Sequence, residues 1–372
     1  MAEDQNEWYR FKAADEIDTP ALVFYPDRIR ENMERLKYMV SSPDMLRPHV
    51  KTHKSADVTK LMILNGINKF KCATITEAEM LGGCGAKDVL LAYQPTYQKL
   101  RRLFNLMETY PNTRFSCLVD NLVSANMISD LALEAKTRIE IYIDLNVGMN
   151  RTGIRPDAAF DLFMDIIEMK GIGLLGFHAY DGHIKEVGLS ERTVQCNAAF
   201  EPVEVLREKI KAKGFPYPLL IAGGSPTFQI HSTRQHVECS PGTFILWDKG
   251  YRDTIPEQDF LFAALVISRV ISLPASNKIC IDLGYKAISS ENDLLRRAWF
   301  LDAPYLKPYS HSEEHMVIEA GEGHNYKIGD LFYVVPVHIC PTVALYNQAH
   351  LVTDQETDKT WSVNARDHEL LR

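Results

Sequence analysis

From Thr19 to about residue 245 the chain repeats one pattern, a short apolar run followed by an amphipathic stretch. Ala21-Leu-Val-Phe-Tyr25 reads as a strand. Pro26 and Asp27 then open a helix to about Val40, with Ile29, Met33, Leu36 and Met39 at helical spacing. The same rhythm predicts strands at Met45–Val50, Lys69–Ala73, Asp88–Ala92, Arg114–Val119, Ile139–Leu145, Gly173–Ala179, Pro218–Ala222 and His236–Cys239. Alternation of this kind implies parallel strands with right-handed crossovers. About eight such units close into a (β/α)8 TIM-type barrel, whose chemistry sits at the carboxyl ends of the strands. Lys51, Asp144, His178, Gly223 and Ser240 all fall there.

After residue 250 the texture changes to short β-rich runs separated by Gly, Pro or Asn: Phe260–Pro274, Lys278–Leu283, Trp299–Leu301, Met316–Glu319 and Asp330–Pro336. That texture predicts a second, mostly antiparallel β domain. The expected organisation is an α/β chain with an N-terminal arm at 1–18, the barrel at 19–248 and the β domain at 249–372. A net charge of −8 and a pI near 5.9 argue against nucleic acid or an anionic membrane as partner. No apolar run approaches the roughly 18 residues that span a bilayer, and the acidic N-terminus is unlike a secretory signal. Seven widely spaced cysteines, an odd number, suit a reduced, cytoplasmic protein.

Lys51 lies within four residues of Arg47, His49 and His53. Crowding by cations and partial desolvation lower a lysine's pKa, and the free amine forms a Schiff base with a carbonyl. The competing reading is a solvated basic loop. Gly223-Gly224-Ser225-Pro-Thr227 directly follows an apolar strand, where backbone N–H groups and hydroxyls close around a phosphate. Alone it is equally a tight turn, but Ser240-Pro241-Gly242-Thr243 repeats the device one strand later. Arg151, in the glycine-bounded loop 148–153, can pair an oxyanion or simply be exposed at a helix start. In His178-Ala-Tyr180-Asp181-Gly182-His183, Tyr180 can pack on a planar ring and the histidines can carry protons. His338-Ile339-Cys340, read as a strand, projects an imidazole and a thiol to one side, either as half a Zn²⁺ site or as a buried pair.

Val50-Lys51, Gly148-Met-Asn-Arg151-Thr-Gly153 and Ser240-Pro241-Gly242-Thr243 resemble, in order and spacing, motifs of the alanine racemase-like (fold type III) pyridoxal-phosphate enzymes. Arg47-Pro-His-Val-Lys-Thr-His-Lys54, Ser312-Glu-Glu-His315 and His338-Ile-Cys340-Pro-Thr342 resemble the D-threonine aldolase and D-serine dehydratase family within that group. The resemblance implies that Lys51 is the Schiff-base lysine, with Arg151 near the cofactor's phenolic oxygen and Tyr180 by its ring. It implies that Gly223, Gly224, Ser225, Gly242 and Thr243 bind the phosphate, and that His338 and Cys340 hold a divalent metal. It also implies a barrel followed by a β domain, working as a head-to-tail homodimer. Ser240 departs from the alanine racemases, which carry arginine at this place facing the pyridine nitrogen. Losing that cation lets more negative charge enter the ring, which favours lyase chemistry over racemisation.

The activity so implied is a pyridoxal 5'-phosphate- and metal-dependent lyase acting on D-β-hydroxy-α-amino acids. Elimination of the β-hydroxyl, as in a D-serine or D-threonine dehydratase, would give a keto acid and ammonia. Retro-aldol cleavage, as in a D-threonine aldolase, would give glycine and an aldehyde. The His-x-Cys pair resembles the dehydratase members, and a thiolate favours Zn²⁺ where a carboxylate would favour Mn²⁺ or Mg²⁺. His53, His178, His183 and His315 are the candidate bases beside Lys51. An amino acid racemase and a non-catalytic cofactor carrier are more distant readings, and the β domain with its His-x-Cys argues against the carrier.

Overall fold

The computed structural model of the chain describes residues 7–357 and 359–368; residues 1–6 of the expected N-terminal arm lie outside them. The chain divides into two units. One is formed chiefly by residues 35–51 and 58–242, the other by residues up to 34, 52–57 and 243–366.

After β1 (Ala21–Phe24), seven strands run in chain order through one parallel sheet. They are β2 (Lys69–Cys72), β3 (Asp88–Leu91), β4 (Arg114–Val119), β5 (Ile139–Leu145), β6 (Ile172–Ala179), β7 (Leu219–Ala222) and β8 (Val237–Cys239). Helices such as Ile75–Gly83, Tyr97–Thr109 and Leu122–Glu134 connect successive strands, so the TIM-like architecture expected from the alternation is present, with seven regular strands where about eight were expected. Leu90, Leu118, Tyr142 and Ile221, one from each of four strands, pack together as a buried core. The strand expected at 45–50 does not form as a regular element. Instead residues 46–49 bond both edge strands of the sheet. The N–H of Arg47 donates to Cys239 O at 2.9 Å and that of His49 to Pro241 O at 3.0 Å, while the N–H of Lys71 donates to Pro48 O at 2.9 Å. Pro48 and the two flanking turns of 3-10 helix explain why no longer ladder forms. The eighth position of the barrel is filled all the same.

An ion network lies at the opposite end of these strands from Lys51. Arg47 is wholly buried, with Nη1 2.5 Å from Asp88 Oδ1 and Nε 2.7 Å from Glu238 Oε2. Lys69 Nζ adds a 2.6 Å contact to Glu238, and Arg114 Nε a 3.1 Å contact to Asp88. Burial alone would raise the Asp88 carboxyl, yet its two arginine partners hold it below the usual carboxylate range.

The second unit carries β9 (Ala264–Ala275), β10 (Lys278–Ile281), β11 (Ala298–Phe300), β12 (Lys307–His311), β13 (Met316–Glu319), β14 (Leu331–Pro336), β15 (Gln348–Leu351) and β16 (Thr360–Ser362). They form a mostly antiparallel sheet in the order β12-β13-β10-β9-β1-β15-β16, with β14 pairing both β9 and β11. Here β1 is the surprise. The sequence rhythm counts it with the barrel, but it pairs antiparallel with β9 (Ala21 opposite Ile267, Phe24 opposite Ala264) and parallel with β15. All four of its residues are buried, so its pattern is that of any strand covered on both faces, and periodicity does not say in which sheet. All seven cysteines are free. Among the described residues, no helix is long and apolar enough to cross a membrane.

Replacing Arg47 by Met would leave Asp88 and Glu238 buried without their shared cation. We expect a loss of about 3–5 kcal/mol in equilibrium urea unfolding. A loss below about 1 kcal/mol would show that the network contributes little.

Candidate active site

Lys51 sits in the single 3-10 turn Val50–Thr52 that ends the 46–49 segment, with its side chain exposed. The cationic crowd expected around it does not form. Arg47 points into the ion network, and His49 Nδ1 accepts the Lys51 N–H at 3.2 Å. His53 is wholly buried in the second unit, where its Nδ1 accepts the Ser55 N–H at 3.1 Å. Burial pushes His53 down to about 3, so it is neutral at physiological pH. This candidate base is therefore a buried imidazole.

Other cations replace that crowd. Around the ring of Tyr180, which follows β6, lie Lys51 Nζ at 5.8 Å, Lys71 Nζ at 5.5 Å and Arg151 Cζ at 5.2 Å from the centroid. Lys71 was missed in the sequence. Its signal was the period-two face of β2, on which Lys69 and Lys71 share one side while Phe70 and Cys72 take the other. Lys71 is only 4% exposed, and burial lowers its pKa to about 7, assisted by Lys51.

The strand ends hold the rest of the mouth. Asp144 Oδ1 lies 2.7 Å from His178 Nδ1, and Asp144 Oδ2 accepts from Thr152 Oγ1 at 2.8 Å and Gln94 Nε2 at 3.0 Å. Burial and Lys71 lower the His178 pKa, while His178 and its other hydrogen-bond donors lower that of Asp144 despite burial. The pair is a neutral imidazole on a carboxylate, with Nδ1–H donating and Nε2 left as the acceptor. Asn146 Oδ1 accepts the N–H groups of Gly148 and Asn150, both at 3.1 Å, which folds the loop that presents the exposed Arg151. His183, also exposed, lies against Gly148.

Gly223 has φ +74°, and a Cβ there would stand 2.7 Å from His231 Cδ2, so only glycine makes this turn. A Cβ on Gly224 would come within 3.0 Å of Tyr180 Cε2, which brings the loop backbone against the ring. Asp181 anchors the loop from beneath. It accepts from Thr227 Oγ1 at 2.9 Å and pairs with His231 Nε2 at 2.9 Å, and the buried Cys196 completes a trio whose donor atoms could hold an ion. Ser225 and Gly242 are buried, and Ser240 Oγ is buried with no hydrogen-bond partner among the described residues.

In the second unit His338 and Cys340 do converge, but not as a strand. β14 ends at Pro336, and His338 is the N-cap of the short helix Ile339–Val343. Cys340 Sγ lies 3.1 Å from Thr52 Oγ1 and 3.6 Å from Thr243 Oγ1. Despite burial, hydrogen bonding to His338 and Thr52 lowers the Cys340 thiol, and the same contact, with Glu291 on Nδ1, raises His338 to about 9. Asp248 caps this corner by accepting the Ile339 N–H at 3.1 Å. Thr52, Glu291 and Asp248 carried no sequence signal. His315 is exposed.

These residues fit the groups the resemblance implies. Two polar atoms at the barrel mouth, His178 Nε2 and Ser240 Oγ, are buried without partners among the described residues, beside a glycine loop pressed on an aromatic ring. That is a setting for a polar heteroaromatic phosphate. A thiolate-prone sulfur next to an imidazole is a donor set for Zn²⁺.

Residues 25–248 match the alanine racemase N-terminal domain and residues 263–352 a putative serine dehydratase domain. The chain belongs to the alanine racemase N-terminal domain family of pyridoxal-phosphate-dependent folds. It is 23% identical over 358 residues to a D-threonine aldolase of an Arthrobacter species, covering 94% of this chain and 93% of that one. It is 24% identical over 373 residues to the D-threo-3-hydroxyaspartate dehydratase of Delftia sp. strain HT23, covering 93% and 97%. The crystal structure of D-threonine aldolase from Filomicrobium marinum superposes with a TM-score of 0.87 at 23% identity, covering 95% of this chain and 97% of that one. A D-threo-3-hydroxyaspartate dehydratase has been solved with one cysteine changed to alanine, in a form described as metal-free. A further variant of it replaces a histidine two positions earlier. The relatives matched along nearly their whole length are named as aldolases or dehydratases.

Because His53 is buried neutral, the unfolded chain takes up its proton near pH 6.5 while the folded chain waits until about pH 3. Stability therefore falls as pH drops through that window, by up to about 1.4 kcal/mol per pH unit from this group. Urea unfolding at pH 7 and pH 4.5 should show His53→Gln with a shallower acid slope than wild type. An identical slope would mean that His53 protonates in the folded state.

Proposed function

We propose that the chain is a pyridoxal 5'-phosphate- and Zn²⁺-dependent lyase that removes the β-hydroxyl of small D-β-hydroxy-α-amino acids, as a D-serine or D-threonine dehydratase does. The observation that carries the reading is the His338–Cys340 pair, whose hydrogen bond favours a thiolate. The same spacing of histidine and cysteine in the dehydratase variants supports it. When bound, pyridoxal phosphate supplies an aldehyde that joins amines and a ring that draws electrons from the α-carbon, and the metal supplies a Lewis acid for the hydroxyl.

The chain's own residues then divide the work. Lys51 Nζ would hold the cofactor and would be the base for the α-proton. Arg151 would pair with the phenolic oxygen, and Tyr180 would lie by the ring. Gly223, Gly224, Ser225, Gly242 and Thr243 would bind the phosphate, and Ser240 stands where a racemase has a cation. His178, its Nδ1–H fixed by Asp144, would accept and return a proton at Nε2. His338 and Cys340 hold the ion. Seven free cysteines support a reducing setting, and the family resemblance supports a head-to-tail homodimer.

Retro-aldol cleavage is the second reading, supported by similarity to D-threonine aldolases along nearly the whole chain. Product analysis with D-serine and D-threonine in the presence of Zn²⁺ separates the two. Dehydration gives pyruvate or ketobutyrate with ammonia; cleavage gives glycine with an aldehyde. We expect the keto acids. Lys51→Ala should lose the visible absorbance of the bound cofactor. His338→Ala and Cys340→Ala should keep that absorbance and lose at least about 100-fold in turnover. Full activity in both metal-ligand variants would remove the Lewis-acid role.

A further inference from the structure

We propose that Lys71 is an oxyanion-receiving side chain of the barrel mouth, completing with Lys51 and Arg151 a three-cation cup around Tyr180. The inference deepens the functional reading, since it names the ligand chemistry of the same site.

Among the described residues, no hydrogen bond or ion pair reaches Lys71 Nζ, although the residue is 4% exposed. An ammonium at the tip of so nearly buried a side chain, with no counter-ion in reach, either gives up its proton or awaits an anion. The charged and titratable groups facing it are Lys51, Arg151 and His178 on one side of the balance and Asp144 and Asp181 on the other. Both carboxylates are already committed. Asp144 is held by His178, Thr152 and Gln94, and Asp181 by Thr227 and His231. Neither carboxylate gives Lys71 Nζ a direct partner, and three cationic groups spread around one ring suit a flat, delocalised anion. A small carboxylate or a phenolate has that chemistry. It can come from the cofactor's phenolic oxygen or from a carboxylate of the substrate.

The empty cup and the filled cup differ in protonation. With a pKa lowered to about 7, Lys71 is largely the free amine at pH 8, and an arriving anion draws it back to the ammonium form. Anion binding should take up close to one proton at pH 8 and almost none at pH 6, and affinity should weaken as pH rises from 7 to 9. No mutation is needed to see this.

The test has two arms, each read by calorimetry in two buffers of different ionisation enthalpy. In the first, cofactor-free protein is titrated with pyridoxal 5'-phosphate. In the second, cofactor-loaded protein is titrated with malate, a carboxylate without an amine. Wild type is compared with Lys71→Met and Lys71→Arg, with thermal unfolding to confirm that each variant is folded. We expect Lys71→Met to bind about tenfold more weakly in one arm and to lose the proton uptake there, with Lys71→Arg restoring affinity but not uptake. A loss in the first arm assigns the anion to the cofactor, and a loss in the second assigns it to the substrate. Unchanged affinity and uptake in both arms would overturn the proposal, as would a wild-type protein that takes up no proton at pH 8. Failure of the functional reading looks different: pyridoxal phosphate would then not bind wild type at all, while malate binding to the cofactor-free protein would still report on Lys71.

Discussion

Four residues, 46–49, are bonded along both of their edges, to β8 on one side and to β2 on the other. Much of the barrel's geometry depends on that double attachment. It fills the gap between the first and last strands of the parallel sheet, and it delivers Lys51 to the carboxyl end where the loops after β5, β6 and β7 also arrive. Arg47, within the same four residues, carries a guanidinium to the opposite end and binds Asp88 and Glu238. One short segment thus holds the ion network at one end of the barrel and places Lys51 at the other, the end where such folds carry their chemistry.

The electrostatics of the mouth follow from which charges are already paired. Asp144 and Asp181 are spent on orienting His178 and His231, so they fix imidazoles and loops and form no ion pair with Lys71. Lys51, Lys71 and Arg151 instead gather around the Tyr180 ring. A site built this way is pre-organised for anions without needing a net positive protein, which reconciles a local cation cup with a chain of net charge −8. In the other unit the same logic runs on hydrogen bonds. Thr52 and His338 favour the Cys340 thiolate, which a buried sulfur would otherwise resist; Cys117 and Cys239, which lack such partners, are pushed up to about 12.

The parallel sheet was legible because strands buried on both faces alternate with amphipathic helices, and that rhythm has few other solutions. Residues whose backbone follows directly from a strand end, such as His178, Gly223 and Ser240, were placed by the same argument. β1 was not, because four buried residues look alike in either sheet. Lys71 escaped because lysine in a strand suggests solvent, and only the shared face with Lys69 pointed inward. The run ending at Pro336 was read correctly, but extending strand geometry to His338 and Cys340 overlooked Pro341, which suits the first turn of a helix. The cations placed around Lys51 by sequence proximity were the wrong ones, since Arg47 and His53 turn into the interior while Lys71 and Arg151 arrive from other strands.

Two amines, Lys51 and Lys71, approach the same ring, and we assign only the exposed one the task of joining the cofactor. Borohydride reduction of the protein loaded with pyridoxal 5'-phosphate, followed by peptide mapping, reads this directly. We expect the pyridoxyl group on Lys51 alone. Its recovery on Lys71, or on neither lysine, would contradict that assignment.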